Sequence, residues 1–324
     1  MGNDGYNFPK HTKFLVTGGA GFIGSNLVEK ILHFGYKVKV LDNFSTGKEK
    51  NMKEFLCHPN FKLIKGDIRN IEDCQRACKS IDYVLHQAAL GSVPWSINDP
   101  KTTNDINITG MLNMMIAAKD NQVQKLVYAS SSAVYGDECS LLKKENRLGK
   151  PLSPYAITKL ANEIYAKNFF EQYGLPTIGL RYFNVFGKRQ DAHSVYAAVI
   201  PIFVQKLLKK ESPTIYGDGA QSRDFTYIED VIQANLKACL AGEEALGEVF
   251  NIAYGKSISL NELYAMLCKR LKVNIKPVYE QERDGDVKYS HADIAKAMEI
   301  LGYCPKYDID TGLALTIHWY KNNL

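Results

Sequence analysis

Short apolar, β-branched runs alternate with longer amphipathic stretches along the first half of the chain. This alternation is typical of parallel strands that are connected by crossover helices. The predicted strands are Lys13–Thr17, Lys37–Asp42, Lys62–Lys65, Tyr83–His86, Lys125–Ser130 and Thr177–Tyr182. The predicted helices between them include Phe22–Phe34, Asn104–Asn121 and Pro154–Tyr173. The pattern predicts an α/β fold with a doubly wound parallel sheet, in which ligands bind at the carboxyl ends of the strands.

The regular alternation stops after Tyr182, where turn-rich stretches begin to mix with helices. The elements predicted there are the helices Tyr196–Lys210 and Leu260–Leu271 and one more strand of the main sheet, Val249–Ala253. We therefore expect a Rossmann-type domain over residues 1–183, completed by about residues 226–255. A smaller, mixed α/β substrate domain is expected to take up most of residues 184–324.

The composition is that of an ordinary globular protein, with 45% hydrophobic and 23% charged residues. The net charge of +5 is scattered, whereas a dedicated nucleic-acid-binding protein has a denser basic stripe. No apolar run approaches the ~20 residues that cross a bilayer. The seven cysteines are irregularly spaced, which favours reduced thiols without a metal site. The first ten residues are polar, unlike the apolar core of a signal peptide. We expect a cytoplasmic protein whose partners are neither nucleic acid nor membrane.

A glycine-rich turn, TGGAGFIG, follows the first predicted strand. It places Gly18, Gly21 and Gly24 where a helix begins, so that the backbone and the helix N-terminus can approach a pyrophosphate. Asp42 ends the second strand and can accept hydrogen bonds from both ribose hydroxyls, where its charge repels the extra phosphate of NADP. These residues predict bound NAD. The alternative is an ordinary strand–helix–strand unit with chance glycines.

Candidate catalytic groups occur on two further elements. Tyr155 and Lys159 lie four residues apart, on one face of a predicted helix. The lysine ammonium, together with a positive nicotinamide ring, is expected to lower the pKa of the phenol from about 10 and make it a general base. Ser130, Ser131 and Ser132 follow the fifth strand and offer a hydroxyl to the substrate. Each motif alone has an ordinary structural explanation, but their combination and order favour a hydride-transfer enzyme.

Seven motifs together carry a family resemblance: TGGAGFIG, LDNFSTG, GDIRN, SSSAVYGD, SPYAITK, RYFNVFG and SRDFTYIEDV. They resemble the extended short-chain dehydrogenases/reductases, and specifically the UDP-hexose 4-epimerases, from about Lys13 to the C-terminus. GSVPWSINDP, GKPLSPYA, YAAVIP and the GDV segment are most similar to the UDP-N-acetylglucosamine 4-epimerases of bacteria and archaea.

The resemblance implies a redox-neutral 4-epimerisation of UDP-N-acetylglucosamine and UDP-N-acetylgalactosamine, in nucleotide-sugar supply for polysaccharides. Tyr155 takes a proton from the C4 hydroxyl while hydride passes from C4 to bound NAD. The transient 4-keto sugar turns over and regains the hydride on its other face. The resemblance also implies a homodimer, formed through the predicted helices Asn104–Asn121 and Pro154–Tyr173.

The resemblance assigns site residues by position. The catalytic residues are Ser131, Tyr155 and Lys159. NAD is expected to contact Gly18, Gly21, Phe22, Ile23, Gly24, Asp42, Asn43, Ser45, Thr46, Gly47, Asp67, Ile68, Gln87, Ala88, Ala89, Asn107, Tyr155, Lys159 and Tyr182. The UDP-sugar is expected to contact Ser92, Ser131, Ser132, Asn184, Val199, Tyr216, Arg223, Arg283, Asp286 and Ser290.

Some of these positions carry a specific role by the same resemblance. Arg223 and Arg283 match arginines that clamp the diphosphate, and Asp286 matches a carboxylate on the uridine ribose. Ser290 matches a gatekeeper in the sugar pocket, where a tyrosine goes with plain hexoses and a small residue leaves room for an N-acetyl group. The alternative is that Ser290 caps a helix over Ala292–Leu301. Trp95 departs from the arginine of close relatives, which affects fine substrate preference only.

Alternative functions remain open at this point. A UDP-glucose 4-epimerase would share every catalytic residue. A sugar-nucleotide 4,6-dehydratase would need an Asp-Glu pair where Ser132 and Ala133 stand, and a UDP-glucuronate decarboxylase would carry a glutamate in that loop. A dinucleotide-sensing regulator usually lacks the tyrosine or the lysine of the active site, and both are present.

Overall fold

The structure is a computed structural model, and it describes residues 6–192, 198–282 and 288–323. The strands are β1 (Lys13–Thr17), β2 (Lys37–Asp42), β3 (Phe61–Lys65), β4 (Tyr83–His86), β5 (Lys125–Ser131), β6 (Leu142–Lys143), β7 (Thr177–Tyr182), β8 (Val185–Phe186), β9 (Thr214–Tyr216), β10 (Ser222–Asp224), β11 (Thr226–Tyr227), β12 (Val249–Ile252), β13 (Ser257–Ser259), β14 (Val278–Glu280) and β15 (Tyr289–Ala292).

The helices are α1 (Phe22–His33), α2 (Ile71–Cys78), α3 (Val93–Asn98), α4 (Pro100–Asn104), α5 (Gly110–Asp120), α6 (Pro154–Tyr173), α7 (Val199–Leu208), α8 (Ile228–Leu240), α9 (Leu260–Leu271), α10 (Ala295–Leu301) and α11 (Ile309–Asn323). Short 3₁₀ turns lie at Glu49–Asn51, Ser132–Tyr135 and Glu243–Ala245, and a π-helical turn lies at Asp105–Thr109.

Within the described residues, seven parallel strands form the main sheet in the order β12-β7-β5-β4-β1-β2-β3. The order reverses between β1 and β4, which is the point where such sheets bind ligands. In register, Thr17 lies opposite His86, and Ser131 lies opposite Tyr182. The carboxyl ends of the central strands therefore meet at one edge. The predicted doubly wound, Rossmann-type sheet is confirmed, including β12 as its additional strand.

Helices cover both faces of this sheet, which explains why its strands are continuous apolar runs. Successive side chains of β1 point to opposite faces. Phe14 and Val16 pack in one core with α1 and α8, whereas Leu15 packs in the other with α2 and α5. All three side chains are fully buried, and each contributes roughly 1.5–3 kcal/mol to stability.

The elements beyond Tyr182 form a second, mixed layer. A smaller sheet has the order β13-β10-β15-β6, and two strand pairs, β11 with β8 and β14 with β9, accompany it. Arg223 on β10 lies opposite Ser290 on the parallel strand β15. Strand β6 joins this sheet from the first half, whereas α8 and β12 return to the main sheet. The domain boundary at residue 183 stays a prediction.

The predicted helix Asn104–Asn121 is wrong in its start and in its continuity. Helix α4 begins earlier, at Pro100, because Asp99 accepts a hydrogen bond from the Thr102 N–H at 3.0 Å and proline suits the first helical turn. The π-helical turn Asp105–Thr109 then separates α4 from α5. Such turns are frequent at functional sites.

The proposed helix cap at Ser290 is also wrong. Ser290 lies within β15, and α10 begins only at Ala295, whose N–H donates to the Asp293 carboxylate at 3.0 Å. The predicted helix Tyr196–Lys210 corresponds to α7, which begins later; residues 193–197 lie outside the described ranges. The other predicted elements agree with the structure to within one residue at each end.

Across the described ranges, no helix has the length and apolar character that a membrane crossing requires. In the same ranges, no group of three or more His, Cys, Asp and Glu side chains is arranged to hold a metal ion. All seven cysteines are free thiols.

Candidate active site

Two positions, one in the turn after β1 and one in the first turn of α1, accept only glycine. Gly18 has a φ of +65° and donates its N–H to the Leu41 carbonyl at 2.9 Å. A side chain on Gly18 would meet the Ala88 backbone at 2.8 Å, and one on Gly24 would place its Cβ 2.1 Å from the Gly18 carbonyl oxygen. The glycines therefore bring the start of α1 against the carboxyl ends of β1 and β4.

The start of α1 lines a cavity of about 280 Å³. Gly21 is the N-cap residue, and among the described residues no side chain caps this helix, so its first N–H groups can bind a phosphate. Predicted NAD contacts that line the cavity are Gly18, Gly21, Phe22, Ile23, Gly24, Asp42, Asn43, Ser45, Thr46, Gly47, Asp67, Ile68, Gln87, Ala88 and Ala89. Lining residues that sequence reasoning missed are Leu41, Gly66, Leu90, Gly91 and Ile106. The open helix end and the glycine cradle fit a dinucleotide.

The two carboxylates of this cavity are held in different ways. Asp42 accepts hydrogen bonds from the N–H groups of Ala20 (2.8 Å) and Phe44 (2.7 Å), and burial raises its pKa against these two bonds. Asp67 binds the Arg69 guanidinium at 2.7 Å and accepts from the Asn43 amide at 2.8 Å. The Arg69 hydrogen bonds hold the Asp67 pKa at about 2. Asp42 thus lines the cavity with each of its oxygens fixed by a backbone N–H group.

Helix α6 carries Tyr155 in its first turn, and two serines fix that turn. Ser153 accepts a hydrogen bond from the Ala156 N–H at 3.2 Å. Ser96 on α3, which is fully buried, accepts from the Tyr155 N–H at 3.0 Å and donates to the Val93 carbonyl at 2.7 Å. Sequence analysis missed Ser96, although it belongs to the GSVPWS motif. The short helix α3 thereby positions the backbone of Tyr155.

The structure brings Ser131, Tyr155 and Lys159 together. The hydroxyl of Ser131 lies beside the Tyr155 phenol, near enough to act on its pKa. Lys159 donates its ammonium to the Ala129 carbonyl at 2.8 Å, and its Nζ lies 5.9 Å from the centre of the Tyr155 ring. A hydroxyl, a phenol and an ammonium therefore lie at the carboxyl end of β5.

The predicted lowering of the Tyr155 pKa is not produced by the chain alone. Burial raises this pKa, and the hydrogen bond from Ser131 only partly opposes it. Burial also lowers the pKa of Lys159 to about 8, against the favourable charge of Glu163. The Lys159 ammonium therefore loses its proton at a lower pH than a free lysine does. Additional positive charge beside the phenol would lower the Tyr155 pKa, which is the direction that a general base requires.

Three consecutive serines lie at the end of β5, and the two within the strand point in different directions, as alternation along a strand requires. Ser130 donates its hydroxyl to the buried Glu163 carboxylate, whereas Ser131 turns towards Tyr155. Ser132 begins a 3₁₀ turn that Ser131 caps, by accepting from the Ala133 N–H at 3.1 Å. Only Ser131 of the three lies against the phenol.

Asn107 connects three parts of the site from within the π-helical turn. Its carbonyl oxygen accepts from the Leu90 N–H at 2.8 Å. Its amide donates to the Leu90 carbonyl and to the Thr158 hydroxyl, both at 3.1 Å. This side chain thus links the chain after β4 to α6, beside Lys159.

Tyr182 belongs to a closed ring of buried hydrogen bonds. Its hydroxyl donates to Gln87 Oε1 at 3.2 Å, Gln87 Nε2 donates to Asn235 Oδ1 at 3.1 Å, and Asn235 Nδ2 donates to the Tyr182 oxygen at 2.8 Å. Burial keeps the Tyr182 phenol protonated by raising its pKa. Its single proton is therefore engaged, which leaves Tyr155 as the available phenol. Sequence reasoning missed Asn235.

His86 is a second residue that sequence reasoning missed, at the carboxyl end of β4. Its Nδ1 is hydrogen-bonded to the Thr17 hydroxyl at 2.8 Å. Burial lowers its pKa to about 3, with a smaller effect of Lys159. His86 is therefore a neutral spacer between β1 and β5. Its place at a strand end was the signal that could have identified it.

A second cavity of about 280 Å³ lies against α7 and the smaller sheets. The predicted substrate contacts Asn184, Val199, Tyr216 and Arg223 line it together. Lining residues that were not predicted are Ile202, Phe203, Lys206, Thr214, Ile215, Gln221 and Leu260. Guanidinium, amide and apolar groups in one cleft suit a ligand with both an anionic and a flat aromatic part.

The remaining predicted substrate contacts are placed separately. Ser290 is buried on β15 and neighbours Arg223 across the two strands. Ser92 caps α3 by accepting from the Trp95 N–H at 3.1 Å. Arg283 and Asp286 lie outside the described residues.

Comparison with known proteins places this site in a family. The profile of the NAD dependent epimerase/dehydratase family matches residues 14–253. A UDP-glucose 4-epimerase of Mycolicibacterium smegmatis is 33% identical over 310 residues, which are 95% of this chain and 98% of that protein.

Two solved structures are similar along nearly the whole chain. The UDP-N-acetylglucosamine 4-epimerase from Methanobrevibacter ruminantium, in complex with UDP-N-acetylmuramic acid, has a TM-score of 0.93 and 41% identity, covering 98% of this chain and 100% of that one. The UDP-glucuronic acid 4-epimerase from Bacillus cereus, in complex with UDP-glucuronic acid and NAD, has a TM-score of 0.89 and 32% identity, covering 96% and 99%. The resemblance to extended short-chain dehydrogenases and UDP-hexose 4-epimerases is confirmed, and NAD is the cofactor. The chain belongs to the NAD dependent epimerase/dehydratase family.

Proposed function

We propose that this protein is a UDP-sugar 4-epimerase that interconverts UDP-N-acetylglucosamine and UDP-N-acetylgalactosamine. The observation that carries the epimerase assignment is the grouping of Ser131 and Tyr155 at the end of β5, with Lys159 one helical turn away and its Nζ 5.9 Å from the Tyr155 ring. This group lies at the same edge of the sheet as the glycine turn. The similarity to three 4-epimerases with different UDP-sugars supports the reaction type and leaves the sugar to be argued from the pocket.

Each catalytic residue has a distinct task in this proposal. Tyr155 accepts the proton of the sugar C4 hydroxyl, and later returns a proton to the C4 oxygen. Ser131 donates a hydrogen bond to the oxygen at which charge changes, and Lys159 stabilises the phenolate. When bound, NAD takes up a hydride from C4 and gives it back to the opposite face of the sugar. Tyr182 does not compete as a base because its proton is held by Gln87.

The diphosphate is the fixed part of the substrate in this proposal. Arg223 and Arg283 clamp it with planar, permanently charged groups, and Asn184 contributes an amide. Val199 and Tyr216 contact the nucleotide, and Asp286 accepts from its ribose. Binding energy from these remote groups holds the substrate while the sugar remains free to turn.

The choice of an N-acetylated sugar depends on Ser290. It is buried, and it lies on the strand next to Arg223, so the two backbones are only about 5 Å apart. A group at this position lies close to the diphosphate clamp, where the sugar begins. A serine leaves the volume of an aromatic ring unfilled compared with a tyrosine, and an acetamide needs that volume.

Ser290→Tyr should exchange the substrate preference. Turnover of the two N-acetylated substrates should fall by at least about tenfold, because the ring fills the acetamide space, whereas turnover of UDP-glucose and UDP-galactose is retained or rises. Initial rates on all four substrates measure this directly, and Ser290→Ala, which keeps the space open, is the matched control. Equal losses on both pairs of substrates would show that Ser290 has a structural role only.

Other reactions of this fold are less well supported. Ser132 and Ala133 occupy the 3₁₀ turn after β5, where a 4,6-dehydratase needs an acidic pair and a UDP-glucuronate decarboxylase needs a glutamate. A dinucleotide-sensing regulator does not need an assembled Ser131, Tyr155 and Lys159. A UDP-glucose 4-epimerase is the main alternative, and the small side chain of Ser290 is the feature that favours an N-acetylated sugar over glucose.

We also propose that two copies associate through α6 and the neighbouring helices α4 and α5. Ile157, Ile164 and Tyr165 on α6 are 54%, 64% and 41% exposed, and their spacing of seven and one residues places them on one stripe of the helix. A second copy of this stripe is its self-complementary partner in a two-fold dimer. In each copy, residues 184–324 mainly bind the UDP-sugar and residues 1–183 mainly bind NAD.

A further inference from the structure

A buried ion pair lies one helical turn beyond Lys159, and the reaction described above does not use it. Glu163 on α6 and Arg181 on β7 are 7% and 2% exposed. Arg181 binds the carboxylate with two parallel hydrogen bonds, Nε to Oε1 at 2.9 Å and Nη2 to Oε2 at 2.7 Å. This forked geometry is the strongest that the two side chains can form.

Neutral groups complete the hydrogen bonding of this pair. Ser130 donates to Glu163, and Arg181 donates through Nη1 to the Tyr135 hydroxyl and to the Glu145 carbonyl, both at 3.1 Å. Tyr135 in turn donates to Asn251 on β12 at 2.6 Å. The two charges are therefore fixed in position, between β5, β7 and α6, and are screened little by water.

Glu163 also acts on the catalytic helix itself. It follows Lys159 by four residues, so both side chains lie on the same buried face of α6. Burial disfavours the Lys159 ammonium, and the Glu163 carboxylate is the group that opposes this effect. A neutral lysine would no longer stabilise the phenolate of Tyr155.

We propose that Glu163 is a positioning residue for proton transfer, whose charge is shared between Arg181 and Lys159 and keeps Lys159 an ammonium during turnover. Arg181 limits this effect, because it neutralises part of the same carboxylate. The pair then sets the pH range in which Tyr155 accepts and returns its proton. This inference rests on the proposed function of Tyr155 and Lys159.

Other titratable groups face Lys159 and Glu163 from the packed elements. His86 on β4 is neutral, because burial lowers its pKa to about 3. Burial raises the pKa values of Tyr128 on β5 and Tyr135 in the 3₁₀ turn, so these phenols are also neutral. The titratable groups that remain on β5, β7, α4, α5 and the π-helical turn are Lys101, Asp105, Lys119, Asp120, Lys125 and Tyr182. Glu163 is thus the buried anion whose charge raises the pKa of Lys159.

The test is the pH profile of turnover in variants of the full-length, NAD-loaded protein. Glu163→Gln removes negative charge, so it should lower the pKa values of both Tyr155 and Lys159. The acidic and the alkaline limbs should then both move to lower pH, by about one pH unit. Arg181→Met removes positive charge and should move both limbs to higher pH. Ser130→Ala is the matched control, because it removes a contact to Glu163 without changing charge, and its limbs should not move.

The double variant Glu163→Gln with Arg181→Met leaves no unpaired buried charge. It should move both limbs to lower pH, but by less than Glu163→Gln does, because the loss of Arg181 offsets part of the lost carboxylate charge. If Glu163→Gln is not recovered as folded protein, this double variant decides: limbs that stay in place or move to higher pH overturn the inference. Single variants that lose activity with unmoved limbs, or that both move the limbs to the same side of the wild-type profile, overturn it as well. A wild-type protein without any 4-epimerase activity would instead overturn the proposed function.

Discussion

Tyr155 and Tyr182 show how surroundings divide one residue type into two roles. Tyr182 is buried and Tyr155 is half-buried at the carboxyl edge of the sheet, and burial raises both pKa values. Tyr182 donates a hydrogen bond to Gln87 and accepts one from Asn235, so it belongs to a closed ring. Tyr155 lies beside the hydroxyl of Ser131, which can also bond a substrate oxygen. Under the proposed function, these partners rather than burial make Tyr155 the base.

Tyr155→Phe should reduce turnover at least about 100-fold while leaving NAD and UDP-sugar bound, because only the phenol oxygen is lost. Steady-state rates and retention of NAD after gel filtration measure the two effects. Tyr182→Phe is the matched control, since it removes a phenol oxygen from the same edge but not the base, and its loss should be much smaller. A Tyr155→Phe enzyme with more than about a tenth of wild-type activity would contradict this assignment.

At the level of single residues, the grouping of the candidate catalytic side chains could be predicted from the sequence, and the residues that support them could not. The spacing of Tyr155 and Lys159 follows from helix geometry, because both lie on one element. Glu163 and Arg181 come from separate elements, and the ring around Tyr182 joins residues 95 and 53 positions away. No local pattern marks such partners, because packing of the sheet and helices brings them together.

At the scale of elements, the turn from β1 into α1 depends most strictly on its sequence. Gly24 packs so closely against this turn that a Cβ would lie 2.1 Å from a backbone oxygen, which has no room to move. The same close approach opens the N-terminus of α1 to the cofactor. The conformation of this turn and its ability to bind the cofactor therefore depend on the same close approach of the backbone.

Gly24→Ala should therefore impair both stability and cofactor retention. We expect a loss of about 1–3 kcal/mol in the free energy of unfolding, and little NAD in the purified protein. Thermal unfolding and an enzymatic assay of released NAD measure the two effects. Gly174→Ala is the matched control, because it strains a left-handed position (φ +67°) at the C-terminal end of α6 without lining the cavity, and it should lower stability while keeping NAD. A Gly24→Ala protein that keeps wild-type stability and NAD content would contradict this account of the turn.

Elements could be predicted from the sequence where the burial pattern is regular or where capping residues mark the ends. The strands of the main sheet are covered on both faces, and α6 carries its cap signals at Ser153 and Gly174. The helix predicted from Asn104 failed because Pro100 and its Asp99 cap start α4 earlier, and a π-helical turn interrupts the helix after Asn104. Ser290 was misread because its strand partner, β10, lies far away in the sequence.

At the scale of the whole molecule, α6 has a buried face towards the candidate site and an exposed apolar face. Its inner face holds Lys159 and Glu163, both buried. Its outer face exposes Ile157 and Ile164, which no contact within the described residues covers. Exposed aliphatic side chains in a row mark an association surface when they form a continuous patch. A dimer through α6 would therefore place the interface directly behind the catalytic groups.

Ile164→Glu should convert the dimer into a monomer, because two copies of the charge would meet across the two-fold axis. The molar mass from light scattering after gel filtration should fall by half. Leu315→Glu on α11, where the leucine is 44% exposed, is the matched control and should leave the mass unchanged. An Ile164→Glu protein that keeps the mass of the wild type would exclude α6 as the interface.

Inversion of C4 in N-acetylated UDP-sugars is the activity that we propose for this protein. Proton NMR of the wild-type protein, incubated with UDP-N-acetylglucosamine without added cofactor, measures that activity. The spectrum should show UDP-N-acetylgalactosamine growing in until both sugars reach a constant ratio, and the reverse incubation should reach the same ratio. UDP-glucose should react more slowly under the same conditions. An unchanged spectrum, a product that has lost water, or faster conversion of UDP-glucose than of the N-acetylated sugar would contradict the claim.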